Sequence, residues 1–287
     1  MGAIYKKELK SYFTSMIGCV FLAIMLVIIG LYFFIVNMLN MYAEMSTTLS
    51  AITFVIVLIM PIITMRTLAE ENRQKTDQLL FTSPVSVTKI ILGKYFALLT
   101  VYAIGILIVC TYPIIMNMYG DAQLAQSYSS ILGFFLMGAA YLAIGLFISS
   151  LTESQVIAAV ISFIVMIFTY LMTSLASLLP TDHVSVLICM IIAVAIIAAV
   201  AYGMMHNYIV SIAIFLVGAA ALTIVYFVHP SFYDGLIVNI LGWFSVVERF
   251  NSFSLGIMDL SALLYYISVV FIFIFFTVMR IKKKRWS

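Results

Sequence analysis

Apolar residues gather into eight uninterrupted stretches, at about 16–36, 46–65, 95–116, 128–151, 155–179, 184–205, 208–228 and 261–279. Each is close to the ~20 residues a helix needs to cross ~30 Å of hydrocarbon. The runs are continuous and do not alternate in and out every second residue, which favours spanning helices over a membrane barrel. The pattern predicts an all-α, polytopic membrane protein with about eight transmembrane helices in a single domain, 1–287. Three segments outside the spans carry their own patterns. In residues 1–15, Ile4, Leu9, Tyr12 and Phe13 alternate with Lys6, Lys7, Glu8 and Lys10, as in a helix lying at the membrane interface. An ordinary positive flank that orients the first span fits equally well. Residues 66–94 form the largest polar loop. Residues 229–260 carry Phe232, Tyr233, Leu236, Ile237, Ile240, Leu241 and Phe244 at helical spacing. That segment is either re-entrant or a helix lying on the outer leaflet with Trp243 as its anchor.

Composition narrows the classes. The chain is 65% hydrophobic and 9% charged, with a mean hydropathy of +1.22, whereas a soluble domain carries about a quarter charged residues. The spans leave no room for a soluble catalytic domain or a self-contained nucleotide-binding fold, which needs about 100 residues. A secreted enzyme and nucleic-acid binding are excluded with them. About twenty apolar residues follow Ser15 without an A-x-A-like cleavage site, so the first run reads as a retained span.

Positive charge then sets the expected topology. Thirteen of the fourteen Lys and Arg residues fall on one side: Lys6, Lys7 and Lys10; Arg66, Arg73, Lys75, Lys89 and Lys94; Arg280, Lys282, Lys283, Lys284 and Arg285. Only Arg249, beside Glu248, breaks the rule. Eight spans with this bias place both termini in the cytoplasm. The net charge of +3 reads as a topology signal and contact with anionic headgroups of the bilayer, not as a nucleic-acid footprint.

A search for chemistry inside the spans finds no candidate. Every Asp, Glu, Lys and Arg falls in a loop, a tail or a span edge, and His183, His206 and His229 sit at connectors without metal-ligand spacing. Cys19, Cys110 and Cys189 lie inside spans as small hydrophobes. No catalytic residue, metal site or bound cofactor is expected in this chain. Pro61 and Pro113 are possible kinks. Gly138, Ala139, Gly145, Ser149, Ala158 and Ala159 permit close helix approach. The run Phe271 to Phe276 reads as lipid-facing.

The loop from Met65 to Tyr95, MRTLAEENRQKTDQLLFTSPVSVTKIILGKY, is the most informative segment. Thr76 suits a helix N-cap with Asp77 in the first turn, and Gln78, Leu79, Leu80 and Phe81 would continue it. Ser83 and Pro84 form a second start signal, from which the chain would re-enter the membrane. Leu79, Leu80 and Phe81 beside Glu70, Glu71, Arg73 and Lys75 make a small apolar ridge with a charged rim, as a protein-docking patch requires. A solvated loop that only enforces topology would need neither the paired acids nor the capped turn.

The loop's run M-R-x-L-A-E-E-x-R-x-K-T-x-x-L-L-x-T-S-P-V-S, closing with I-x-L-G-K-Y, resembles the cytoplasmic loop of ABC-2 permeases, nearest to the gliding-motility type. Tyr5 to Phe13, Gly145 to Glu153 and Glu248 to Tyr266 are similar to the same subgroup. The chain departs from the common pattern with Lys75 in place of Gly and Gln78 in place of Glu. It departs again at 184–228, which reads as a hairpin added to six spans. The resemblance implies that Thr76 to Pro84 is a coupling helix seated on a separate ATP-binding cassette subunit. Glu70, Glu71 and Arg73 would flank it with ion pairs, and Lys89, Gly93 and Lys94 would fix where the next span enters the membrane. No G-x-x-x-x-G-K-[ST] occurs, so ATP and Mg would be held by that partner. The resemblance also implies a second permease chain, identical or related, and allows an accessory membrane protein. It puts helices at the outer mouth of the pathway. The resulting expectation is the permease subunit of an ATP-driven exporter. A membrane scaffold that recruits a cytoplasmic partner, and an ion-coupled secondary carrier, are the alternatives.

Overall fold

A computed structural model describes residues 1–75, 85–120, 122–179, 182–205, 208–228 and 233–286. All regular elements among them are helical. Among the described residues, six stretches are long and apolar enough to cross a membrane: Ile17–Leu39, Met45–Gln74, Val87–Tyr119, Leu124–Leu151, Gln155–Ser177 and Leu260–Lys284. The chain divides into two compact units, residues 1–170 with 246–287, and residues 171–245.

The first unit opens with α1 (Gly2–Thr14) and α2 (Ile17–Phe33), joined by Met16 in the left-handed region at φ 58°. A π-helical turn, Phe34–Leu39, extends α2. Asn37 pins the following connector, donating to the carbonyls of Tyr42 at 2.7 Å and Glu44 at 3.0 Å. Then come α3 (Met45–Thr64) and the short α4 (Ala69–Gln74). Pro61 lies inside α3 without ending it. Pro113, by contrast, marks a break: α5 (Val87–Val109) stops and α6 (Tyr112–Tyr119) restarts with the proline in its first turn, where no backbone donor is missed.

The helix after the loop begins at Val87, with Ser86 extended before it at φ −66° and ψ 140°; Ser83 and Pro84, the start signal read in the sequence, lie outside the described residues.

The central element is α7 (Leu124–Leu151), which is buried on most of its circumference because α3, α5 and the last helix, α13 (Leu260–Trp286), all pack on it. Small residues admit these neighbours. A Cβ at Gly138 would clash with the Tyr102 ring of α5, and one at Gly145 with Thr64 of α3. Buried tyrosines then bond across the gaps: the Tyr95 hydroxyl donates to the Ala139 carbonyl at 3.1 Å, and that of Tyr102 to the Phe134 carbonyl at 2.8 Å. The one-turn α12 (Phe250–Ser254) buries Phe250 and Phe253 against α7 and α3. Its last carbonyls accept from Gln126 Nε2 (Ser254, 2.9 Å) and Ser130 Oγ (Phe253, 3.2 Å). The helix α8 (Gln155–Ser177) has one buried stripe, Ala158, Ser162 and Met166, while the opposite face from Ile157 to Phe168 is exposed and apolar.

In the second unit, α9 (His183–Met205) and α10 (Tyr208–Val228) pack as a hairpin, and Gly218 faces the Val194 side chain. His183 pairs with Asp234, and the Tyr233 hydroxyl donates to the Leu222 carbonyl at 2.7 Å. The helix α11 (Leu236–Phe244) leaves Trp243 and Phe244 exposed. Phe232 of the amphipathic run lies outside the described residues.

Candidate coupling site

The loop between α3 and α5 is anchored through α4. Leaving the membrane helix α3, the chain turns through Met65 to Leu68 and must satisfy the first N–H groups of a new helix. Leu68 and Ala69 donate theirs to the Ser149 hydroxyl of α7 at 3.1 and 3.0 Å, and Ser149 donates in turn to the Met65 carbonyl at 3.2 Å. A serine eighty residues away thus caps α4, and Gly145 one turn earlier lets the two chains approach. The other end of α4 is fixed by Asn72. Its amide donates to the Thr152 carbonyl between α7 and α8 at 3.4 Å, and its Oδ1 accepts from the Lys284 ammonium of α13 at 3.1 Å.

Lys94 binds the same loop to two further helices. It sits at the end of the second turn of α5 and is 1% exposed. Its ammonium reaches Glu71 of α4 at 2.8 Å and Glu8 of α1 at 3.0 Å, and donates to the Thr67 carbonyl at 3.3 Å. A buried cation is tolerated when carboxylates and a carbonyl take up its three protons. Beside it, the Tyr12 and Thr67 hydroxyls are 2.9 Å apart. Burial holds the Tyr12 hydroxyl well above its usual range, an effect the Thr67 hydrogen bond only partly opposes, so the group stays neutral. Close approach again makes this possible. A Cβ at Gly93 would stand 3.2 Å from Ile4, and one at Gly18 would stand 3.1 Å from the Tyr12 carbonyl, so α1 lies against both α5 and α2.

The position of Glu8 differs from that read in the sequence. It was grouped with the lysines on the polar side of α1, whereas the structure buries it on the same face as Tyr12, leaving Lys6, Lys7 and Lys10 exposed. Phe13, expected on the apolar face, is 39% exposed. Helical spacing puts Tyr5, Glu8 and Tyr12 on one stripe, and the deciding force, the Lys94 charge in α5, is invisible in α1 alone.

The other residues singled out from sequence are dispersed. Glu71 is held by Lys94, and Glu70 by Arg66 one turn before it, with Gln74 donating to Glu70 at 3.2 Å. Arg73 is exposed. Lys75 is exposed as well and ends α4 in the left-handed region at φ 55°. Thr76, Asp77, Gln78, Leu79, Leu80, Phe81 and Pro84 lie outside the described residues. Sequence reading missed Ser149 as a cap, Thr67 and Asn72 as anchors, and Glu8 as a charge partner. Only a serine in a small-residue stripe and an acid on a tyrosine face hinted at them.

Between α1 and the loop a polar cavity of about 280 Å³ is lined by Lys7, Glu8, Arg66, Glu70, Glu71 and Gln74, among others. Its walls are charged in both senses. Among the described residues no group of three or more His, Cys, Asp or Glu side chains could hold a metal ion.

Residues 39–184, just over half of the 287, match the family model described as ABC-2 family transporter protein. No curated protein and no solved structure matches the chain. The matched segment contains α3, α4, α5 and α7, the helices that Ser149, Glu71 and Lys94 tie together. A multi-pass helical membrane domain organised around that segment belongs to the ABC-2 transporter family, whose members are permease subunits of ABC transporters.

Proposed function

We propose that the chain is the membrane-spanning subunit of an ATP-driven exporter of the gliding-motility type, set in a bacterial-type inner membrane with both termini in the cytoplasm. Permeases of this family associate in general with an ATP-binding subunit. In this reading that subunit holds ATP and Mg and performs the hydrolysis, so the permease is not itself an enzyme. Residues Thr76 to Pro84 are its contact, with Leu79, Leu80 and Phe81 as the apolar ridge and Arg73 and Lys75 on the rim. Glu70 and Glu71 act differently from the sequence expectation: they hold the loop to Arg66 and Lys94. Two copies of the chain, or this chain and a relative, surround the pathway, with α9 and α10 as a seventh and eighth crossing and 229–260 at its outer mouth.

The observation that carries the reading is the anchoring of α4. Its contacts reach α7 through Ser149, the α7–α8 turn through Thr152, α13 through Lys284, and α5 and α1 through Lys94. A push on the loop would therefore be delivered to most of the first unit as a body. A solvated topology loop would need none of these bonds.

The direct test tags the C-terminus, extracts the complex gently from its native membrane, identifies co-purifying chains by mass spectrometry and assays ATP hydrolysis. A P-loop protein with activity is expected. A Leu79→Asp, Leu80→Asp variant should remain inserted and folded yet retain no ATPase. If no nucleotide-binding chain appears even after cross-linking, a scaffold or an ion-coupled carrier replaces the proposal.

A further inference from the structure

Outside the loop, α5 and α13 enclose a groove of about 500 Å³ along the membrane-spanning surface. Its walls are apolar: Leu92 and Phe96 of α5 face Phe271, Ile274 and Phe275 of α13. The Tyr95 hydroxyl is turned away from the groove, because it donates to the Ala139 carbonyl of α7. Polar groups occur at one end alone, where Thr88 begins α5 and Lys282 approaches the end of α13. That end is also the end of α4, since Lys284 reaches Asn72 there and Lys94 reaches Glu71. Lys89, next in sequence to Thr88, is exposed, as is Lys283, next to Lys282. Among the described residues no acidic side chain lines the groove.

We infer that this groove is a binding site for a diacyl phospholipid with an anionic headgroup, its acyl chain on the phenylalanine wall and its phosphate on Lys282 and Lys89. The volume falls in the ~300–1,000 Å³ range typical of sites for small amphiphilic ligands. Charge decides between this occupant and a second copy of the chain. Two copies in one membrane are related by an axis along its normal, so the basic end of one groove would meet the basic end of the other with no carboxylate among the described lining residues of either. A phosphate supplies the missing anion, and basic residues at a membrane surface select anionic lipid on these grounds. Apolar burial holds the tail and electrostatics selects the head. The site is separate from the proposed ATPase contact and holds whether or not that reading does.

The test uses the full chain, stripped of lipid and returned to nanodiscs of phosphatidylcholine with or without phosphatidylglycerol. Native mass spectrometry counts retained lipids, and a Phe275→Trp reporter reads quenching by brominated acyl chains of either headgroup. The expected result is one phosphatidylglycerol kept per chain with a preference of roughly tenfold or more over phosphatidylcholine. Stronger quenching by the brominated anionic lipid should accompany it. Lys282→Glu with Lys89→Glu should abolish the preference, while Lys10→Glu, exposed on α1 and distant in sequence from the groove, should leave it intact. Equal retention of the two lipids, or a preference indifferent to the double charge reversal, overturns the proposal. Efficient disulfide formation between two Phe271→Cys chains would overturn it in favour of a copy-to-copy interface. Melting of each variant in detergent separates lost selectivity from lost folding.

Discussion

Lys94 shows how a single charge can organise a membrane domain. In the sequence it stands at the edge of an apolar run and reads as a topology signal; in the fold it is 1% exposed with Glu8 and Glu71 as its partners, whose side chains are 12% and 16% exposed. Removing the ammonium leaves two carboxylates facing each other with little water. Lys94→Met should therefore destabilise the chain by ~3–5 kcal/mol, the usual cost of breaking one side of a buried ionic group. Adding Glu8→Gln and Glu71→Gln should recover most of that loss, because neutral replacement of a whole buried group is often nearly neutral. Thermal denaturation in detergent reads both. A neutral single variant, or a triple variant as unstable as the single, would show that the three charges do not act together. Glu8 itself was not assignable from sequence, since its partner lies 86 positions away.

At the scale of elements, the spans were legible and their ends were not. The apolar runs at 46–65 and 155–179 became α3 (Met45–Thr64) and α8 (Gln155–Ser177) within two residues, because burying backbone in hydrocarbon leaves only a helix. The run at 95–116 instead became α5 and α6. The first eight residues of α5 interrupt their apolar residues with Thr88, Lys89 and Lys94, and Pro113 restarts the helix with a break before it. The loop contains a similar local choice. Lys75 occupies a left-handed C-terminal position, so its Cβ works against the backbone. Lys75→Gly should stabilise α4 by about 1 kcal/mol, since the relief of the left-handed residue exceeds the added freedom of the unfolded chain. Hydrogen exchange of the Ala69–Gln74 amides measures this. Slower exchange is expected, and unchanged or faster exchange would mean that Lys75 is held there by contacts stronger than its strain.

For the whole molecule, the open question of architecture is the hairpin α9–α10, and it has a single decisive position. With eight crossings the connector at 206–207 lies in the cytoplasm; if the hairpin does not cross, the connector lies outside together with 182. In a chain freed of Cys19, Cys110 and Cys189, Asn207→Cys should be protected from an impermeant thiol reagent in intact cells while Asp182→Cys is labelled. Labelling of both would leave six crossings. The amino-acid sequence by itself determined that the chain is helical and membrane-spanning, and which loops carry its positive charge. Those properties are local: they follow from the transfer of consecutive residues into hydrocarbon and from charge counted loop by loop. It also made the family legible, through charged and turn residues in the 66–94 loop. Tertiary structure alone decided which groups bind that loop. The Ser149 cap, the Glu8–Lys94–Glu71 cluster and the Asn72–Lys284 bond join positions 80, 86, 23 and 212 residues apart, and each exists only because small residues on α7, α5 and α2 let helices approach. Pairings of that kind depend on distances across a packed bundle, which no periodicity along a single helix encodes.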